Sequence, residues 1–257
     1  MADPKPQYTH VNQPPPPSPT SQFDPDRFSI STVSQTDIHA SPAPRPRHVF
    51  TAPVTYHPPL APSSFRAARV SLVYTPTQQY DHAGLVFVLP SPSSDQQQQQ
   101  QPPDAHTVDR STSWVKAGLE AKDGAVYLSV VTRAPGQWCD WSLHVLRGSG
   151  AGGAPFSSSS SGQLGYEIGT TVELVRKGNA LLVHHIDEAG QPVLLRKVPW
   201  VFLDRDGGLL PEGDGGGEAD PGGLAWVGAF AARPDPERRA GDDALLVGFR
   251  GFEVETV

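Results

Sequence analysis

The sequence has little cysteine and no long apolar run. Cys139 is the only cysteine among 257 residues, so the chain cannot form an internal disulfide. Secreted domains commonly carry disulfides, and the cysteine content therefore favours a reducing compartment. The N-terminal residues lack the apolar segment of a signal peptide, and no run of about 18 apolar residues occurs. We therefore expect a cytoplasmic protein without membrane association.

Basic residues are also scarce. The chain has 20 Lys and Arg against 27 Asp and Glu, a net charge of −7, whereas nucleic-acid binding needs clustered cations. No P-loop, GxGxxG or GxSxG motif occurs. His184 and His185 are adjacent and would point to opposite faces of a strand, and His185 with Asp187 supplies only two ligands. We expect no nucleic-acid partner, no cofactor and no metal.

Proline and glycine are abundant instead. The chain has 28 Pro and 25 Gly but only 37% hydrophobic residues, which indicates an ordered core diluted by segments that cannot bury enough apolar surface to fold. We predict a disordered Pro-rich head over residues 1–22 and a single domain over residues 23–257. Flexible inserts are predicted near residues 90–112, 148–162, 206–222 and 233–243.

The most informative segment runs from Trp114 to Arg133. Asp123-Gly124 is a strong two-residue hairpin signal. Side chains alternate along a strand, so the turn predicts both the register and the faces. The predicted pairs are Lys122 with Ala125, Glu120 with Tyr127, Gly118 with Ser129, Lys116 with Val131 and Trp114 with Arg133. One face is then a core face of Val115, Ala117, Leu119, Ala121, Val126, Leu128, Val130 and Thr132. The other is aromatic and charged, with Trp114, Lys116, Gly118, Glu120, Tyr127, Ser129, Val131 and Arg133.

Other short strand patterns recur along the chain, including a second hairpin that turns at Gly178-Asn179. No window shows a sustained helical period. Strands with one apolar and one polar face stack as two antiparallel sheets. The patterns therefore predict an all-β, two-sheet antiparallel β-sandwich, or jelly roll, with disordered inserts.

Four motifs resemble one known family in order. They are YDHAGLVFVLP at 80–90, WVKAGLEAKDG at 114–124, SVVTR at 129–133 and DWS at 140–142. Together they are similar to a domain family of unknown function with the concanavalin A-like fold, of the lectin/glucanase superfamily, which includes the regulation-of-enolase proteins. His82 stands where the family usually has Gln, and residues 134–137 are inserted before Trp138. The resemblance implies a cytosolic protein linked to carbohydrate metabolism, and no demonstrated reaction.

The polar hairpin face is the best candidate site. Aromatic rings stack on the C–H patches of a sugar, and charged groups hydrogen-bond its hydroxyls. Gly84 and Gly118 would leave a depression between them. A solvated outer face is the alternative. We predict a shallow ligand-binding cleft on the concave sheet, with no catalytic residue, lined by Tyr80, His82, Trp114, Lys116, Glu120, Tyr127 and Arg133.

Three functions stay open at this point. The first is a non-enzymatic regulatory or interaction role, with a glycolytic enzyme as partner, which the resemblance implies. The second is a lectin-like binder of a sugar or a sugar phosphate; a sugar-phosphate binder would need Lys116 and Arg133 unpaired and convergent. The third is a glycan-active hydrolase or lyase, although the acid-x-acid-x-x-acid strand motif of sugar hydrolases with this fold is absent. Asp140-Trp141-Ser142 is interpreted as a turn that places Trp141 in the core.

Overall fold

The computed structural model describes residues 6–13, 23–42, 47–90, 101–146, 166–203, 208, 210, 223–234 and 244–257. These residues form fifteen strands and one short 3-10 turn, Pro62–Ser64. The strands are β1 (Thr9–Val11), β2 (Arg27–Thr32), β3 (Ile38–Ser41), β4 (Arg47–Phe50), β5 (Val54–Tyr56), β6 (Phe65–Tyr74), β7 (His82–Leu89), β8 (Ser113–Lys122), β9 (Ala125–Arg133), β10 (Asp140–Val145), β11 (Ile168–Lys177), β12 (Ala180–Ile186), β13 (Pro192–Val198), β14 (Trp226–Ala232) and β15 (Leu245–Thr256). No helix among the described residues is long and apolar enough to cross a bilayer.

Two large sheets make up the molecule. The seven-stranded sheet has the order β1-β5-β14-β7-β8-β9-β10, and the six-stranded sheet has the order β13-β12-β11-β6-β15-β2. Every neighbouring pair in both sheets is antiparallel. The main hydrophobic core lies between the sheets, because its members come from the facing sides of both. The predicted two-sheet antiparallel β-sandwich is confirmed.

The hairpin of β8 and β9 has the predicted register. All five predicted pairs occur, from Lys122 with Ala125 at the turn to Trp114 with Arg133 at the far end. Asp123 and Gly124 both have positive φ, 51° and 77°, as the tight hairpin turn requires. Seven of the eight residues of the predicted apolar face lie in the main core, and the eighth, Thr132, is buried. The second hairpin also turns where predicted, since Lys177 pairs with Ala180.

The other face of the seven-stranded sheet is covered rather than solvated. Strands β3 and β4 pair with each other and pack over it, and their Ile38 and Phe50 join a second hydrophobic cluster with Trp114, Val131 and other residues of the sheet. Trp114 is only 2% exposed. The sheet therefore buries both faces, which the alternation of apolar and polar residues in β8 does not predict.

The two glycines predicted to open a depression have another role. Gly84 and Gly118 face each other across β7 and β8. A Cβ on Gly84 would stand 1.9 Å from the Ala117 carbonyl oxygen, and one on Gly118 would stand 1.8 Å from that of Ala83. Any side chain would collide with the neighbouring backbone, so this pair permits close strand approach and does not line a cleft.

Two parts of the segments predicted to be disordered are ordered. In the head, β1 extends the seven-stranded sheet by pairing with β5, and the Asn12 amide donates to the carbonyls of Phe50 and Ala52. In the insert near 90–112, the carbonyl of Pro103 accepts a hydrogen bond from the Tyr56 hydroxyl, Val108 packs on the second hydrophobic cluster, and residues 109–112 lie beside Arg133. The insert near 148–162 and most of those near 206–222 and 233–243 lie outside the described residues.

Arg133 explains the order of residues 109–112. Its guanidinium donates to the main-chain carbonyls of Asp109, Arg110 and Thr112 at 2.6–2.9 Å, and its Nε donates to the carbonyl of Gln137. The Asp109 carboxylate adds local hydrogen bonds from Ser111 and Thr112. The composition of this segment does not predict order, because the long-range donor lies on β9 and not in the segment itself.

A substitution in the core face tests the hairpin assignment. Leu119 is fully buried, so we expect Leu119→Asp to lower the free energy of unfolding by about 3–5 kcal/mol, since the new carboxylate is buried without a partner. Glu120→Gln, one residue along, should cost about 1 kcal/mol or less because an amide oxygen can still accept hydrogen bonds. Urea unfolding of both variants measures the difference, and the reverse order of effects would contradict the assignment.

A second substitution tests the role of Arg133. We expect Arg133→Met to cost about 2–4 kcal/mol of stability, because one buried and three partly buried carbonyls lose their donor. Cleavage by trypsin after Arg110 should accelerate as the segment is released. Arg250→Met is the control, since Arg250 is exposed and should change neither urea unfolding nor cleavage. An unaltered rate of cleavage in Arg133→Met would show that the segment is held by other contacts.

Candidate binding pocket

A cavity of about 890 Å³ lies between the outer face of the seven-stranded sheet and the β3–β4 pair. We call it the pocket. Its floor is formed by side chains of β7 and β8, namely His82, Lys116 and Glu120. The segment that leads into β3 contributes Asp37, and β3 itself contributes His39. The rim carries two aromatic side chains, Tyr80 and Trp141.

Four of the seven predicted site residues line the pocket: Tyr80, His82, Lys116 and Glu120. The other three do not. Trp114 lies in the second hydrophobic cluster, Arg133 is buried against the loop carbonyls described above, and Tyr127 is half-buried outside the cavity lining. All seven were placed on the same side by strand alternation or by position, but the covering elements decide which parts of that side stay open.

Lys116 is the centre of the polar floor. Its Nζ lies 2.9 Å from His82 Nε2 and 3.4 Å from Asp37 Oδ1, and its side chain is 7% exposed. The ammonium group also stands 5.9 Å from the centre of the Phe230 ring. A buried ammonium needs a charged partner, and Asp37 supplies it from outside the sheet.

His82 is held as a neutral imidazole. Its Nδ1 lies 2.8 Å from the main-chain carbonyl of Tyr80, and because a carbonyl only accepts, Nδ1 carries the proton. The lone pair of Nε2 then accepts a hydrogen bond from the Lys116 ammonium. Burial, and next the charge of Lys116, lower the pKa of His82, although Asp37 and Glu120 oppose this shift.

Asp37 is ionised at neutral pH. Burial raises the pKa of its carboxyl, but the charge of Lys116 outweighs burial, helped by the neighbouring imidazoles when they are protonated and by a hydrogen bond from the Ile38 amide, so the pKa lies below its ordinary value. The carboxylate is 3.6 Å from His82 Nε2 as well as 3.4 Å from the ammonium. Asp37 thereby links the covering strands to the sheet.

Glu120 is fixed by two donors. Its Oε2 accepts from the Ser129 hydroxyl at 2.5 Å and from the Trp141 indole at 3.1 Å. Among the residues that the structure describes, Oε1 has no hydrogen-bond partner, and Glu120 faces the cavity. One carboxylate oxygen therefore orients the side chain while the other is available to a ligand.

Trp141 was predicted to lie in the core after a turn, and that prediction is wrong. Residues 140–145 form β10, in which Trp141 pairs with Val131 on the pocket side. Its indole is 42% exposed. Strand alternation places Val131 on the pocket side of β9, and its partner on β10 must lie on the same side. The partner could not be identified from the sequence, because the irregular connection from β9 to β10 leaves the pairing register of β10 undetermined.

The rim is formed by Trp141 and Tyr80, whose ring centres lie 6.4 Å apart at 64°. Tyr80 is 37% exposed and has φ of 66°, a conformation that costs energy for a residue with a side chain. The strained backbone directs its carbonyl to His82, while the ring stays at the mouth of the pocket.

The covering strands bring further residues that were not predicted: Asp37, His39, Arg47 and His48. Burial is the main cause that lowers the pKa of His39. Cys139 contributes to the attachment of β3, since its sulfur accepts a hydrogen bond from the Ala40 amide. Burial raises the pKa of this thiol to about 11, so it is protonated at neutral pH. In the described part of the chain no three His, Cys, Asp or Glu side chains gather as a metal site.

The fold and the pocket define the class of protein. The molecule is a two-sheet antiparallel β-sandwich in which the β3–β4 pair encloses a polar cavity on the outer face of one sheet. Residues 15–256 match the family described as "Protein of unknown function (DUF1349)", and the chain belongs to this family.

Similar proteins include one known relative by sequence and several by structure. An uncharacterized protein of Emericella nidulans is 30% identical over 238 residues, which cover 92% of this chain and 90% of that protein. A functionally unknown protein from Saccharomyces cerevisiae shares the fold, with a TM-score of 0.58, 17% identity and coverage of 98% and 97% of the two chains. A GH43 protein from Bacillus licheniformis gives a TM-score of 0.49 with 13% identity, over 90% of this chain and 33% of that one.

The lowered pKa of Asp37 predicts a pH dependence. A group whose pKa is lower in the folded than in the unfolded protein stabilises the fold above its unfolded value, about 3.9 for Asp, and the stabilisation is lost as the pH falls through the folded value. We expect Asp37→Asn to reduce the free energy of unfolding by about 2 kcal/mol at neutral pH. This is less than for a fully buried pair, because the Asp37 side chain is 21% exposed.

The difference between the wild type and Asp37→Asn should close below about pH 4, as the wild-type carboxyl becomes protonated. Urea unfolding across a pH series measures both values. Glu253→Gln serves as the control, because Glu253 is exposed on β15 and its removal should leave stability unchanged across the series. A difference for Asp37→Asn that did not vary with pH would contradict an ionised Asp37 in the folded protein.

Proposed function

We propose that this protein is a non-enzymatic, lectin-like binder of a neutral carbohydrate, which it holds in the pocket. One observation carries the proposal: two exposed aromatic rings, Tyr80 and Trp141, stand beside a buried floor of Lys116, His82 and Glu120. Rings suit the apolar faces of a pyranose, and the floor offers both donors and acceptors for its hydroxyls. The volume of about 890 Å³ lies within the range of small-molecule sites.

The charges favour a neutral sugar over a sugar phosphate. A phosphate needs cations that are free to converge on it. Lys116 is already paired with Asp37. The guanidinium of Arg133 donates its hydrogen bonds to main-chain carbonyls. Among the described residues of the lining, Arg47 is the other Lys or Arg, and it is exposed.

The same geometry favours binding over glycoside hydrolysis. Hydrolysis uses two carboxyl groups, one of which must be protonated to act as the general acid. Asp37 has a lowered pKa and pairs with Lys116, so it is unsuited to donate a proton. Glu120 is the other carboxyl group of the described lining, and the pairing with Lys116 makes Asp37 a poor base or nucleophile beside it. The strand motif of sugar hydrolases with this fold is also absent from the sequence, so a hydrolase or lyase function is the weaker candidate.

A regulatory role linked to carbohydrate metabolism is compatible with a sugar-binding pocket. Under this proposal the protein acts in the cytoplasm, and binding of a sugar in the pocket changes the affinity of this protein for a partner protein. The link to enolase and to other glycolytic enzymes rests on family resemblance and stays a prediction. Pull-down of purified enolase by this protein, with and without the sugar identified below, tests it directly.

The proposal predicts that Trp141→Ala weakens sugar binding by about 1–3 kcal/mol, the contribution of one stacked ring. A thermal-shift screen across neutral monosaccharides, disaccharides and sugar phosphates selects the ligand, and calorimetry measures its affinity. Tyr166→Ala is the matched control, because Tyr166 is also exposed but lies outside the pocket lining. Glu120→Gln should weaken binding with little change in stability.

The screen can contradict the proposal in two ways. The first is a wild type that binds no neutral sugar, or binds sugar phosphates more tightly. The second is a Trp141→Ala variant that binds as tightly as the wild type. The latter result would mean that the rim is not a stacking platform.

A further inference from the structure

The pocket contains a primary amine in an environment unlike that of the other described lysines. The Lys116 side chain is 7% exposed and faces a cavity, whereas Lys177 and Lys197 are exposed on the surface. Two of its three ammonium hydrogens are directed to His82 and Asp37. The binding role proposed above uses Lys116 only as a donor and does not explain why a neutral imidazole lies against it.

His82 is placed to take a proton from this ammonium group. Its Nε2 lies 2.9 Å from Nζ and carries a lone pair, because the Nδ1 proton is committed to the Tyr80 carbonyl. Proton transfer would leave a free amine on Lys116 and an imidazolium on His82. A free amine is the form in which lysine attacks a carbonyl carbon.

Asp37 allows this transfer without loss of charge balance. The same oxygen, Oδ1, is 3.4 Å from Lys116 Nζ and 3.6 Å from His82 Nε2. The carboxylate therefore faces one positive charge before the transfer and one after it. The proton moves within a trio of constant net charge, so the transfer requires no solvation of a new ion.

We propose that Lys116 forms a reversible imine with the open-chain carbonyl of a reducing aldose. The inference rests on the proposed function, since the pocket must first admit the sugar. After His82 has taken the proton from the ammonium, the amine lone pair bonds to the carbonyl carbon. The carbonyl oxygen takes the proton back from His82, which gives a carbinolamine. The hydroxyl group then leaves with one N–H proton as water, and the protonated imine keeps its positive charge beside Asp37.

The consequence is a preference for reducing sugars over closed glycosides. A glycoside has no free carbonyl and could only stack at Tyr80 and Trp141 and hydrogen-bond Glu120. A reducing aldose could make these contacts and also the covalent bond. The imine would thus distinguish the two kinds of ligand at a site that is otherwise built for neutral sugars.

Reductive trapping tests the inference. The full chain is incubated with glyceraldehyde, an aldose too short to close a stable ring, in the presence of sodium cyanoborohydride, and the adduct is located by peptide mass spectrometry. We expect Lys116 to carry most of the label despite its burial, and Lys116→Arg to lose it. Lys177→Arg is the matched control, because it removes an exposed lysine and should leave the label on Lys116 unchanged. Glycerol, which lacks the carbonyl, should give no adduct.

The role of His82 has its own readout. His82→Gln can still accept a hydrogen bond from Lys116 but cannot take its proton, so we expect the labelling of Lys116 to slow while labelling of Lys177 is unaffected. Equal labelling of Lys116 in the two proteins would overturn the part assigned to His82. Label confined to Lys177, Lys197 and other exposed amines in the wild type would overturn the inference, and this result does not depend on whether any variant folds.

Failure of the inference can be told apart from failure of the proposed function. Calorimetry with a methyl glycoside of the sugar from the screen measures non-covalent binding alone. Glycoside binding without trapping at Lys116 would overturn the imine and leave the carbohydrate-binding proposal intact. Trapping at Lys116 without glycoside binding would support the imine and contradict the lectin-like role.

Discussion

The contact between Asp37 and Lys116 joins the two parts of the molecule that the pocket depends on. Lys116 belongs to the seven-stranded sheet, and Asp37 to the segment that leads into the strands covering it. Without the carboxylate the outer face of β8 would bury an ammonium group with only a neutral imidazole beside it, which is costly. The ion pair therefore makes it possible for this face to be covered by other strands.

The covering strands in turn give the outer face two different environments. Ile38 and Phe50, from the covering strands, form one hydrophobic cluster with Trp114 of β8 and Val131 of β9. Beside this cluster the pocket opens over Lys116 and Glu120, and Phe50 and Val131 line both the cluster and the pocket. A partly enclosed polar floor is suited to hydrogen bonding, because bonds made there compete less with bulk water than bonds on an open surface.

Strand alternation was enough to predict much of the sheet. The turn at Asp123-Gly124 determines the register of β8 and β9, and from it follow both the apolar face in the main core and the common side of Lys116 and Glu120. His82 follows from its motif, as it lies opposite Glu120 on the next strand. These relations are local or lie between paired strands, and a period of two residues is sufficient to place them.

Alternation does not say what lies above a face. Trp114 and Lys116 are on the same side of β8, yet one is covered by apolar side chains and the other opens into the pocket. Asp37, some eighty residues earlier in the chain, and Trp141, beyond an irregular connection, reach the site only through the packing of β3, β4 and β10. The sequence by itself determined the sandwich, its hairpins and the polar residues of the floor. Only the tertiary structure decided which of them face a cavity and which residues complete it, because those contacts join segments whose separation no local period encodes.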